Sequence, residues 1–462
     1  MSAGPSITTR PAGYRWTILA VAAILAFVAE FVRVGSDCEW LVALGDHIRS
    51  TGHIPDGVPY AVAPSSHWHN TLVAAELILS AVQGLGVRAL GVLQLVAVGA
   101  CLLILDRDAR RRGAGDAGVA LALGLTSVGA LTFFVIVRVS LFSLVAFAVL
   151  VAILRAQHER PTRAIWWVPV LVCAWTNLHG AVLAGVAVTG VHLAFSRLRS
   201  RPAETVAVGL ATLAALFVTP AGVDTAAYYW NALHNRAAAR GLGMWARLSP
   251  ERPLDVILMI CAAALLVLIV RAARRRTIAL PVWEWLVLAA LVLACVQSAR
   301  NGMLLLLFAT GPAAIALTRA AAPRGARNRR GAMVATAIAA VVAAGVLAVR
   351  PGTVGAATSS TVDEIARATA GHTVLVPSPL AEALAVRGVR LWLANPLDAF
   401  SPADQDGYLD FVENGRVDAA LLGHDIDAVV VADGSDQARA IETVGGFREV
   451  TRAGSWVVYL RH

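Results

Sequence analysis

The chain has 462 residues, of which 58% are hydrophobic and only 15% charged, and its mean hydropathy is +0.67. A soluble domain cannot hide that much apolar surface, so these values exclude a water-soluble globular protein and indicate a polytopic membrane protein. The net charge of +9 is unevenly placed: from Pro351 onward 15 acidic residues face 8 arginines, which leaves +16 on residues 1–350. Every basic side chain is arginine, and no nucleic-acid partner is expected.

In chain order, Arg10 and Arg15 precede an apolar run over 16–34 that lacks a small-residue cleavage site, so it reads as a retained span. Further apolar runs follow at 89–105, 117–135, 139–154, 165–177, 179–196, 204–220, 253–271, 280–297, 301–318 and 331–349. With roughly 20 residues needed per crossing, the sequence predicts about eleven spans, 165–177 being marginal. Arginines cluster at 107–112, 155–163, 197–201, 271–276 and 319–330, between alternate runs. The positive-inside rule puts these clusters and the N-terminus in the cytoplasm. The connections 35–88, 136–140, 177–180, 221–252 and 298–300, and everything after 350, then fall outside. This parity requires that 71–87, which carries Glu76 and Gln83, lie along the outer interface. A crossing there would reverse everything downstream.

Residues 351–462 change character. Strands are expected at 373–377, 389–393, 428–432 and 456–460, with helices near 379–386, 403–413 and 435–444. No Gly-rich phosphate loop and no nucleophile elbow occurs there, so a scaffolding or acceptor-recognition role is expected. The expected architecture is a polytopic α-helical membrane domain over 1–350, with a large first extracytoplasmic loop at 35–88. A small extracytoplasmic α/β domain over 351–462 completes it.

The polar residues that could carry chemistry lie on the outer connections. Gly35–Asp56 gathers Asp37, Glu39, Asp46, His47, Arg49, His53 and Asp56. Asp37 follows the end of the first span, where partial desolvation makes a carboxylate more basic while it can still reach a substrate at the lipid boundary. A solvated loop acid or a helix cap is the plainer alternative. Ser65–Asn70 adds His67 and His69, which share a face if the loop is extended and could then hold a metal with acidic partners. Arg138 and Arg300 stand singly at outer helix ends, where a lipid phosphate is the natural partner for a guanidinium. Asn177 and His179 occupy a tight junction between two spans, and the long connection after Gly222 brings Asp224, Tyr228, Tyr229, Trp230, His234, Arg240 and Trp245. Its aromatic residues read as interface anchors. Cys38, Cys101, Cys173, Cys261 and Cys295 show no metal-like spacing, and neither a disulfide framework nor a thiolate zinc site is expected.

The motifs S-D-C-E-W-L-V-A-L-G-D-H-I, G-H-I-P-D with S-H-W-H-N, R-V-S-L-F-S, W-T-N-L-H-G-A-V-L-A-G and T-P-A-G-V occur in this order before the closing α/β domain. Together they resemble the GT-C-fold polytopic glycosyltransferases of bacteria that use polyprenyl-phosphate-linked sugars. The resemblance runs over nearly the whole chain. It implies Asp37 as catalytic base, with Asp56 as its substitute. It also implies a polyprenyl-phosphate-linked sugar donor, a cell-envelope glycan or glycoconjugate acceptor, and a place in the cell membrane. Arg138 and Arg300 would hold the leaving phosphate. Glu39, His53, His67, His69, Asn177 and His179 would position the sugar. No cofactor is expected, with a divalent cation the one companion left open. Two other readings stand beside this one. A lipid or glycan flippase predicts charges buried mid-span and two matching halves; a non-catalytic scaffold would present the 351–462 domain to a partner.

Overall fold

Lipid offers no hydrogen-bond partners, so an apolar run must satisfy its own backbone, and helices do this within one segment. The computed structural model of the chain describes residues 14–65, 67–234, 236–242, 245–320, 359–417, 419–423 and 425–462. Helix α1 (Arg15–Phe31) leads through the two-residue strand β1 (Arg33–Val34) into α2 (Ser36–Thr51), against which α3 (Val73–Gln83) packs. Next come α4 (Val87–Arg111), α5 (Asp116–Gly129), the short α6 (Leu131–Val135), strand β2 (Ile136–Val137) and α7 (Ser140–Glu159). Helices α8 (Trp167–Thr176), α9 (Val182–His192) and α10 (Pro202–Ala215) precede the short α11 (Thr225–Leu233) and α12 (Arg236–Ala239). The helical part closes with α13 (Pro253–Arg274), α14 (Val282–Gln297) and α15 (Gly302–Ala320).

Among the described residues, four helices are long and apolar enough to cross a membrane unaided: Val87–Arg111, Ser140–Glu159, Pro253–Arg274 and Ala299–Ala320. The other predicted runs give helices of 10 to 17 residues. At about 1.5 Å per residue these fall short of roughly 30 Å of hydrocarbon. Several are extended, α5 by α6, α8 by a 3-10 turn at Arg163–Trp166, and α9 by a π turn at Leu193–Arg197. The run 331–349 lies outside the described residues, so helix length alone does not establish the expected number of spans. The chain is a polytopic helical membrane protein. Helix α15 is buried on all sides over Gly302–Ala316 and packs against α5, α13 and α14, as a helix apolar all round must. Val92, Val96 and Leu103 on α4 and Leu286 and Leu293 on α14 point outward, apolar and exposed, as lipid-facing positions do.

The helix ends sort by charge. At one end Arg155 donates to Asp108 at 2.7 Å and to Glu284 at 3.2 Å, while Arg112 reaches Glu284 at 2.7 Å. Arg155, Asp108 and Glu284 are all buried. Beside them Arg110 pairs with Asp116 at 2.9 Å, and the Trp16 N–H donates to Asp116 at 2.8 Å, which anchors the start of α1. The clusters that the sequence puts on one side therefore do converge on one end of the bundle, apart from Arg324–Arg330, which lie outside the described residues.

Residues 359–462 pack against α2 and share a core with it. Their sheet has the order β3 (Val374–Leu375), β4 (Ala428–Ala432), β6 (Trp456–Arg461), β5 (Phe447–Ala453), with β3–β4 parallel and the other pairs antiparallel. The helices Leu380–Ala385, Pro402–Asn414 and Asp436–Val444 match the sequence reading; the helix Ser359–Ala368 and strand β5 were not anticipated. Strand β5 is a charged, exposed edge carrying Arg448, Glu449 and Arg452 and lacks the apolar run of a central strand. The expected strand at 389–393 is reduced to bridges at Leu391, which pairs with both Val374 and Ala61. It spends its backbone groups on the first connection: Leu391 N–H donates to the Tyr60 carbonyl at 2.8 Å, and Ala63 N–H to that of Trp392 at 3.0 Å.

Removing one member of a buried ion cluster leaves the others charged and unpartnered. Arg155→Met should therefore destabilise the protein by about 3–5 kcal/mol. Thermal unfolding of the purified protein in detergent measures this, and an unchanged midpoint would show the cluster to be solvated.

Candidate active site

Two rungs of backbone pairing set the site. Strands β1 and β2 run parallel, with Arg33 opposite Ile136 and Val34 opposite Val137. The Gly35 N–H then donates to the Val137 carbonyl at 3.0 Å. This ties the exit of α1 to the entry of α7, and Asp37 in the first turn of α2 lands beside Arg138, carboxylate to guanidinium at 3.7 Å. A β-carbon at position 35 would lie 2.8 Å from Ile136 Cγ2 and 3.2 Å from the Val137 carbonyl oxygen. Only glycine lets the two strands approach this closely.

A cavity of about 390 Å³ opens next to the pair. Asp37, Arg138, His179 and Arg300 line it, with Ser140 and Trp245. Arg300 stacks over the Trp245 ring, 3.5 Å from its centroid, a contact suited to a flat, weakly hydrated guanidinium. Among the described residues no carboxylate lies within 4.0 Å of Arg300. His179 Nδ1 lies 2.6 Å from Ser143 Oγ. Burial, and then the Arg300 charge, push the His179 ring down to about 3, so it stays neutral at ordinary pH. The cavity wall can bind an anion, offer a neutral imidazole and present one carboxylate.

The first connection differs from the loop expected. Residues 36–51 form helix α2, which is buried on nearly every side from Trp40 to Gly45, as well as at Cys38 and Ile48, and is capped by Gly52 in the left-handed region at φ 76°. Its polar groups therefore point in several directions. Glu39 faces the buried Glu382 of the C-terminal domain, away from the cavity. His53 and Asp56 are exposed past the far end of α2, about 20 Å along its axis from Asp37. His67 is exposed, and His69 approaches Asp224 at 3.8 Å, both partners being largely solvated. Asn177 holds the chain itself, donating to the Cys173 carbonyl at 2.9 Å and the Val218 carbonyl at 2.7 Å. Among the described residues no group of three or more His, Cys, Asp or Glu side chains could hold a metal ion.

In the sequence Glu76 and Glu39 carry no mark of their burial beneath residues 359–462, and Ser143 stands in R-V-S-L-F-S without a role of its own. Glu76 is buried and accepts from the Asn70 amide at 2.7 Å; burial pushes it up to about 8. Burial likewise pushes Glu39 up to about 7, with Glu382 adding and Arg387 opposing. A carboxyl whose folded value is raised stabilises the fold below its ordinary value of 4.5, and this contribution is lost as pH rises through about 7. Hydrogen exchange of the backbone around Leu391 should therefore speed up between about pH 5 and 8 in the wild type and change less in Glu39→Gln. Equal pH dependence in the two proteins would show Glu39 to be solvated.

Neither a family model nor a curated protein matches the sequence. Among solved structures the chain is similar to the crystal structure of ArnT from Cupriavidus metallidurans in the apo state. The TM-score is 0.45 at 14% identity, over 96% of this chain and 97% of that one. Its structure bound to undecaprenyl phosphate gives a TM-score of 0.44 at 14% identity, over 97% and 98%. What the cavity can do rests on its own side chains.

Proposed function

We propose that the protein is a membrane glycosyltransferase that moves a sugar from a polyprenyl-phosphate donor to an acceptor hydroxyl. The observation that carries this reading is Arg300. It is a cavity-wall guanidinium held flat on Trp245, with no carboxylate within 4.0 Å among the described residues. Leaving such a cation without an anion is costly, and a phosphate monoester or diester presented from lipid would satisfy it. The resemblance of the ordered motifs to GT-C glycosyltransferases points the same way.

In this reading the acceptor oxygen attacks the anomeric carbon while Asp37 takes the hydroxyl proton. The bond from that carbon to the phosphate oxygen breaks, and the polyprenyl phosphate leaves with the electron pair. Arg300 binds the negative charge that develops, and Arg138 both orients Asp37 and adds a second donor. The donor carries its own activated leaving group, so no nucleotide site is needed. The arginine-rich end of the bundle faces the cytoplasm with the N-terminus, and the cavity and residues 351–462 face outward. The acceptor is a cell-envelope glycan or glycoconjugate, which the C-terminal domain would help to present. His69 and Asp224 do not line the cavity, and His53, Asp56 and His67 take no part in the transfer step.

Proteoliposomes supplied with labelled polyprenyl-phosphate sugars provide the assay. Asp37→Asn should lower transfer by about 10²–10⁴-fold and Arg300→Gln by about 10²–10³-fold, both with unchanged thermal unfolding. Undiminished turnover in Asp37→Asn would remove it as the base. Gly35→Ala leaves every polar group in place but forces β1 from β2, and should cost on the order of 10²-fold through misplacement alone. Full activity in that variant would show that the strand pairing does not set the geometry.

A further inference from the structure

Behind the cavity lies a chain of three side chains that the transfer step does not use. Trp175, fully buried on α8, has only a donor to offer, and its indole N–H gives it to Ser143 Oγ at 2.7 Å. Ser143, fully buried on α7, lies 2.6 Å from His179 Nδ1. Having accepted from Trp175, the hydroxyl still has its own proton to place. A buried O–H without an acceptor is costly, and Nδ1 is the acceptor at hand. If Nδ1 donated instead, the serine proton would have no acceptor among the hydroxyl's hydrogen-bond partners, Trp175 and His179. The imidazole is neutral, because burial and Arg300 both resist a second proton. With Nδ1 accepting, the single ring proton must sit on Nε2.

We infer that Ser143 is a positioning residue that locks His179 as the Nε2–H tautomer, so that the ring presents a neutral hydrogen-bond donor to a phosphate oxygen of the donor lipid held by Arg300. This rests on the reading under Proposed function, and it deepens it. A histidine fixed in this form has no free lone pair at Nε2, so it cannot serve as a general base, and Asp37 is left to do that work. Close packing enforces the lock: a β-carbon at Gly185 would lie 2.5 Å from the Trp175 ring, so only glycine leaves room for the indole that pins Ser143.

The test uses the full chain, labelled with ¹⁵N-histidine and reconstituted in phosphatidylcholine vesicles, with the His179 resonances assigned by difference from His179→Gln. Solid-state NMR should show one neutral Nε2–H tautomer in the wild type from about pH 5 to 8. Ser143→Ala should give a mixture of tautomers, and Ser143→Thr, which keeps the hydroxyl, should restore the single form. Ser143→Ala should also lower transfer on the order of 10-fold, less than the about 10²-fold loss of a direct donor, with Ser143→Thr recovering it. Undecaprenyl phosphate added to the vesicles should shift the wild-type Nε2 resonance. A wild-type Nδ1–H tautomer overturns the inference even if both variants fail to fold. Bound labelled lipid with an unmoved Nε2 resonance overturns the phosphate contact and leaves the transferase reading standing. No lipid binding, with the Nε2–H tautomer intact, overturns the transferase reading and the phosphate contact together.

Discussion

Everything at the site depends on two rungs of parallel β pairing inside an otherwise helical protein. β1 and β2 are two residues each, and alone so short a pairing would be negligible. Here it works as a register pin. Helices α1 and α7 are already held by the bundle, so the pairing has only to fix how the end of α1 meets the start of α7. It does so through backbone groups, whose geometry is nearly invariant, and through Gly35, which removes the one β-carbon in the way. Asp37 and Arg138, about a hundred residues apart in sequence, are placed by the same few atoms.

The two ends of the bundle treat arginine differently. At the end with the arginine clusters, Arg112, Arg155 and Arg110 are matched by Glu284, Asp108, Asp106 and Asp116 within a buried network. Such a network favours one packing of the helices over others, because a shifted arrangement would leave charges without partners. At the cavity end, Arg138 has a loosely held carboxylate at 3.7 Å and Arg300 has an aromatic face. One set of arginines holds the structure, and the other lines the cavity.

Residues 359–462 are part of the site's frame. Arg240 binds Asp406, Asp410 and Glu413 at 2.8, 2.7 and 3.1 Å, and so clamps the segment after α11 to the helix Pro402–Asn414. Five residues past that clamp stands Trp245, the ring beneath Arg300. On the other flank Tyr60 donates to the Asn395 carbonyl at 2.6 Å and the Trp68 indole reaches Asp398 at 3.3 Å. The domain therefore holds both the first connection and the segment that carries Trp245, and its docking bears directly on how Arg300 is presented.

The sequence by itself determined the class of protein and the positions of most of its apolar helices and arginine clusters. These follow from hydropathy and charge, which act residue by residue. It also carried the signature of α2, with Asp37 and Glu39 in a first turn, apolar residues at 38, 41, 44 and 48, and Gly52 as a stop. The density of polar groups there suggests a loop, yet the helical period is legible in the same residues. Tertiary structure alone decided which polar residues meet. Asp37, Arg138, His179 and Arg300 share a wall, while His53, Asp56 and His67 do not, because the axis of α2 carries them away from the cavity. Glu382 has no local pattern to mark it, and Ser143, although it closes the R-V-S-L-F-S motif, gains its contacts from Trp175 and His179 on other elements. The physical reason is that periodicity reports which face of an element is apolar, whereas a site is made where faces of different elements come together.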